Sequence, residues 1–136
     1  MDLSRLENND YLHGDITSLI IKAYYNVYNK LGFGFLEKVY ENAMVIELGK
    51  FDLHCVKQKP ITVFYEGESV GQYFADLVVN DVVIVELKAA EALIEEYEAQ
   101  LTNYLRATDI EVGLLLNFGK KPQYKRKIFN NDYKKG

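Results

Sequence analysis

A chain of 136 residues with 49% apolar content and a net charge of −4 can bury one good core but has no room for a second domain of ordinary size, so a single domain over 1–136 is expected. The opening MDLSRLENND has no apolar core and no long apolar run follows it, which argues against a secretory leader or a membrane span and for a cytoplasmic protein. Cys55 is alone, and His54 beside it with only His13 far off gives neither an internal disulfide nor the ligand count of a zinc site.

Residues 1–14 are polar and read as a loose lead-in. Asp15 suits the start of a helix running to about Lys30, in which Ile16, Ile20, Ala23, Tyr24, Val27 and Leu31 recur at helical spacing, with Gly32 as its stop. Gly32 and Gly34 then break the chain before a second helix over residues 35–48, closed by Gly49. Here Gly34, Glu37 and Tyr40 spell G-x-x-E-x-x-Y. Glu37 falls in the first turn, where a carboxylate complements the helix dipole, and Tyr40 follows one turn later on the same face. Residues 53–57 and 61–65 read as short strands parted by Pro60, and 66–69 as a turn.

The run YFADLVVNDVVIVELKA, residues 73–89, places Asp76, Glu86 and Lys88 inside two strands rich in Val, Ile and Leu. Asn80 and Asp81 tolerate positive φ, so the segment reads as a hairpin. A loop of only those two residues would scatter the charges over both faces. A three-residue loop, 80–82, sets Val79 against Val83 and Asp76 against Glu86. Leu77, Val79, Val83, Val85 and Leu87 then form one apolar face, with the charges together on the other, and that is the register expected. Opposed carboxylates destabilise a sheet unless something positive lies between them. A divalent cation would serve, and Mg²⁺ accepts one or two carboxylates without His or Cys. Lys88, one step along the same face, could orient an attacking water or balance charge on a phosphate.

Residues 90–107 read as a third helix with Leu93, Tyr97, Leu101, Tyr104 and Leu105 as its buried stripe and Glu95, Glu96 and Glu98 on its wet face. Gln100 and Tyr104, four apart, share one side at the border of that stripe. Residues 111–118, EVGLLLNF, have the length and apolarity of a buried central strand, so strand, helix and strand imply a right-handed crossover. From Gly119 onward seven Lys or Arg stand against one Asp, a net of +6 that leaves −10 on the residues before it. KKPQYKRKIF mixes Lys120, Lys121, Lys125, Arg126 and Lys127 with Tyr124 and Phe129, the composition that contacts phosphates and bases. It equally suits a lysine-protected edge strand, the slightly preferred reading of this 120–136 tail.

The pattern D-x9-E-x-K, present as Asp76, Glu86 and Lys88, resembles the signature of the PD-(D/E)XK nuclease superfamily, with Ala75 where Pro often stands. Gly34, Glu37 and Tyr40 resemble the signature of the GxxExxY proteins within that superfamily, in the expected order upstream of the hairpin. Gln100 and Tyr104 are similar to a Q-x-x-x-Y motif of several of its nuclease families. The resemblance covers about residues 16–119 and implies an α/β fold with a restriction-endonuclease-like αβββαβ core and a mixed sheet flanked by helices. It implies a nuclease using Mg²⁺ or Mn²⁺ held by Asp76, Glu86 and Glu37, with Glu41 a less favoured substitute for Glu37 and the Leu87 carbonyl a further ligand. Lys88 would position water, and Gln100, Tyr104 and Tyr40 would support the substrate. The expected partner is nucleic acid, DNA or RNA, with a homodimer or a protein partner compatible with so small a domain. The alternative is a catalytically silent module of the same fold that binds nucleic acid or a protein, since fold alone does not fix function.

Overall fold

A computed structural model of the chain describes residues 12–134, so most of the expected lead-in and the last two residues of the basic tail lie outside the described residues. The first helix, α1 (Gly14–Leu31), has His13 as its N-cap, which puts Asp15 in the first turn, where its charge complements the dipole, in place of the expected cap. Its apolar spacing buries Ile20, Ala23, Tyr24 and Val27. Gly32, at φ 66°, ends it by donating its N–H to the Tyr28 carbonyl. Helix α2 (Glu37–Lys50) begins two residues later than the glycine pattern predicts and runs through Gly49 to a C-cap at Phe51. Gly49 therefore does not terminate it.

Five strands follow: β1 (Cys55–Tyr65), β2 (Glu68–Val79), β3 (Val83–Lys88), then β4 (Val112–Phe118) and β5 (Pro122–Ile128), with helix α3 (Glu95–Arg106) between β3 and β4. They form one sheet in sequence order, antiparallel except for the parallel β3–β4 pair. Two expected strands merge into β1, which runs through Pro60; β1 is an outer strand, where proline is tolerated. The third helix starts at Glu95, later than expected, because residues 90–94 form the connection that carries the chain out of the sheet. The first part of the basic tail, with Lys125, Arg126 and Lys127, is the outer strand β5, not a free arm, and Lys127 Nζ lies 2.6 Å from Glu98 Oε1 on α3.

Helices α1 and α2 cover one face of the sheet. Tyr24, Tyr40, Met44 and Leu48 pack there on Leu77, Val79, Val83, Val85, Leu87, Leu114, Leu116 and Phe118. Helix α3 covers part of the other face, setting Leu101, Tyr104 and Leu105 on Val78, Ile84 and Leu115. Its close approach depends on Gly113 of β4, where an added Cβ would stand 2.7 Å from Leu101 Cδ1. The α/β architecture with a mixed sheet between helices is the one expected, extended by α1 and β5. No described helix is long and apolar enough to cross a membrane.

Candidate functional site

The β2–β3 hairpin takes the three-residue loop: Val79 pairs with Val83, Val78 with Ile84 and Leu77 with Val85. Asn80 and Asp81 make it by adopting φ of 51° and 60°, the region that Asn and Asp tolerate best among residues with side chains. Beyond Leu77 the regular ladder stops and the carboxylates take over its hydrogen bonds. The Asp76 N–H donates to Glu86 Oε1 at 3.0 Å, and the Leu87 N–H donates to Asp76 Oδ2 at 2.8 Å. Each acid is thereby pinned by the main chain of the opposite strand.

A kink on β1 accompanies this opening. Lys57 pairs with Leu77 and Lys59 with Ala75, while Gln58 between them sits at φ 52°. Side-chain alternation inverts at that level, since Leu77 and Val79 pack beneath α1 and α2 whereas Ala75 packs beneath α3. Gln58 Nε2 donates to Glu41 Oε1 at 3.1 Å and, more weakly, to Asp76 Oδ1 at 3.4 Å. Glu41, 5% exposed, is thus joined to the carboxylate pair through Gln58. Nothing in the sequence marks Gln58, because a left-handed residue inside a strand leaves no compositional trace.

Glu86 is 5% exposed. Burial first, and the charge of Asp76 second, push its carboxyl up to about 9, with Lys88 pulling the other way. Lys88 Nζ rests 4.5 Å above the Tyr97 ring of α3, a cation–π contact that holds it on the same side of the sheet. Glu37 opens α2. Partial burial raises its pKa, Lys88 lowers it and Asp76 raises it further, which puts it within electrostatic reach of both. Tyr104 is 6% exposed, and burial, then Glu86 and Asp76, push its hydroxyl up to about 12. Its ring tilts against Tyr73 of β2 with centroids 5.8 Å apart.

Asp76, Glu86 and Lys88 thus converge, with Tyr104 beside them and Glu37 at their margin. Tyr40 does not line the site. It is fully buried, stacked on Phe118 at 4.1 Å, and its hydroxyl donates to the Gly32 carbonyl at 2.7 Å and accepts from the Phe35 N–H at 3.2 Å. Tyr40 therefore shapes the turn that delivers Glu37. Gln100 and Tyr104 together line a groove along α3. Cys55 opens β1, with His54 just before it, and there burial and then Glu41 push the thiol up to about 11.

Sequence reasoning passed over a second positioning element, although its signal was legible as one amide in an apolar strand. Asn117 of β4 pairs with Lys88 of β3 and is fully buried. Its Nδ2 donates to the Ala90 carbonyl and its Oδ1 accepts the Ala90 N–H, both at 2.9 Å. Gly119 lets this connection lie close, since a Cβ there would stand 2.2 Å from the Ala90 carbonyl oxygen. The chain leaving Lys88 is clamped at both polar atoms of Ala90.

Among the described residues no three of His, Cys, Asp and Glu stand close enough to make a complete ligand set on their own. The donors of the pair are hard carboxylate oxygens, Glu86 buried and Asp76 half-buried, under mutual repulsion that pushes Glu86 up, which fits a small hard cation completed by water or phosphate oxygens and not a zinc or copper centre.

The sequence model of a family described as the PD-(D/E)XK nuclease superfamily matches residues 14–128. Among solved structures, the crystal structure of SSO0001 is similar in fold, with a TM-score of 0.55 at 14% identity. The similarity covers 68% of this chain and 50% of that one, so the chain spans half the length of that protein. No curated protein matches the sequence.

Proposed function

The chain belongs to the PD-(D/E)XK nuclease superfamily, and we propose that it is a Mg²⁺- or Mn²⁺-dependent nuclease hydrolysing phosphodiester bonds, of the GxxExxY branch that Gly34, Glu37 and Tyr40 resemble. The observation that carries this reading is the interlocked pair Asp76 and Glu86, each accepting a main-chain N–H from the opposite strand, with Lys88 two residues on. Ordinary surface charges would leave those N–H groups to the ladder.

Asp76, Glu86 and the Leu87 carbonyl would hold the ion, with Glu37 as an outer carboxylate. When bound, it supplies Lewis-acid polarisation of the phosphoryl group and a more acidic water. Hydrogen bonds from the Leu87 and Asp76 N–H groups orient the two carboxylates before any ligand arrives, so little rearrangement is required of them. Lys88, steadied over Tyr97, places the attacking water in line with the scissile bond and balances charge as it develops on the phosphate. The Tyr104 hydroxyl, kept protonated near neutral pH, is available to donate a hydrogen bond to a phosphate oxygen.

A second reading, a silent module that binds nucleic acid or a protein partner, is favoured by the incomplete ligand set. Incubating DNA and RNA, each single- and double-stranded, with Mn²⁺ or Mg²⁺ separates the two. Cleavage by wild type that is lost in Lys88→Ala supports the nuclease; binding without turnover in every condition leaves the module.

A further inference from the structure

Between α3 and the outer half of the β1–β2 ribbon runs an open groove of about 1050 Å³, at the upper end of the volumes of small-molecule sites. One of its walls is Tyr104, whose ring lies against that of Tyr73, and Tyr73 stands three residues before Asp76 on β2, so the groove runs along the strand that carries that acid. Tyr73 continues that wall, and Phe64 lines the groove further along β1. These two residues are 49% and 65% exposed, a large fraction for aromatic side chains that ordinarily pack. From α3 the groove receives Gln100 and Asn103, and no described residue hydrogen-bonds to either side-chain amide.

Charge decides what such a groove can hold. Arg106 and Lys134 are matched by Glu96 and Asp109 along its lining. Lys134 Nζ already donates to the Thr108 and Ile110 carbonyls at 2.8 Å each. This lining is balanced, so it offers little grip on the phosphates of either a duplex or a single strand. Exposed rings with unspent amides instead suit the faces and edges of unpaired bases, which stack on aromatics and present their hydrogen-bonding edges.

We infer that the groove is a subsite for unpaired bases of single-stranded nucleic acid whose phosphodiester reaches the Asp76–Glu86 pair. The inference rests on the nuclease reading for the identity of the polymer, and it assigns that nuclease a single-stranded substrate class. Tyr73 and Phe64 stack the bases, and Gln100 and Asn103 contact their edges.

The test is equilibrium binding of a fluorescent 12-mer single strand and of the corresponding blunt duplex to the full chain in chelator, where no turnover intrudes. The single strand should bind at least tenfold more tightly than the duplex. Tyr73→Ala and Asn103→Ala, both at exposed positions and checked for unchanged unfolding temperature, should each weaken single-strand binding about five- to tenfold, and Tyr73→Phe should retain it. Equal or tighter duplex binding, no single-strand binding, or no effect of either alanine variant overturns the inference. A cleavage assay on the same oligonucleotides keeps the two claims apart. Tyr73-dependent binding without cleavage sustains the groove and defeats the nuclease, whereas cleavage with variant-insensitive binding does the reverse.

Discussion

Glu86 stands in the sheet interior facing another acid, and its proton follows from that position. In the folded, metal-free protein burial and Asp76 raise its carboxyl from an ordinary 4.5 to about 9, so the folded state holds a proton that the unfolded chain releases. Stability is then fully present below about 4.5 and declines as pH rises toward 9. Asp76 on β2 and Lys88 on β3 act on it, and it acts in turn on Tyr104 of α3. In chelator the unfolding temperature should therefore fall between pH 6 and 9, and Glu86→Gln should flatten the fall; an unchanged slope in that variant would assign the titration elsewhere. Lys88 has a different signature. Lys88→Ala should lower the cleavage rate at least a hundredfold, within the range attributed to a positioned electrostatic group, while leaving metal-induced stabilisation intact. Loss of both together would make Lys88 a structural residue. Cys55, with its thiol at about 11, should react with iodoacetamide at pH 8 many times more slowly than a free thiol, because little thiolate is present.

Among the elements, the connection leaving β3 matters most, because it fixes where Lys88 ends. Asn117→Ala would leave both the Ala90 N–H and its carbonyl without their partner. It should destabilise the protein by about 1–3 kcal/mol, read as a lower urea midpoint. Gly119→Ala places a methyl against the Ala90 backbone and should cost about as much through overpacking. If either variant unfolds like wild type, the clamp is not holding the loop. These elements also show how far a sequence can be read. The hairpin register was legible because only one loop length sorts Leu77, Val79, Val83, Val85 and Leu87 onto one face, and the stripe of α3 because its spacing is helical. Helix ends were less so: Gly49 looks like a stop but sits inside α2, since packing of Met44 and Leu48 carries the helix past it. Pro60 suggested a break that an outer strand does not require. The inversion at Gln58 was not legible, because it arises from pairing between distant strands and not from local preference.

For the molecule as a whole, five strands and the helices on both faces hold the carboxylates beside the part of the β2–β3 hairpin, residues 77–79 and 83–87, that packs into the core. Positive charge is concentrated late in the chain, yet Lys127 of that segment is tied to Glu98, so β5 attracts a polyanion less strongly than its composition suggests. The central claim is that Asp76 and Glu86 form a cation site, and a titration of Mn²⁺ and Mg²⁺ against wild type and Glu86→Ala, followed by thermal unfolding, tests it most directly. At roughly a hundred times its dissociation constant the ion adds about 2.7 kcal/mol to wild type, several degrees for a domain of this size, and should add nothing to Glu86→Ala. Equal stabilisation of both proteins, or none of either, would contradict it.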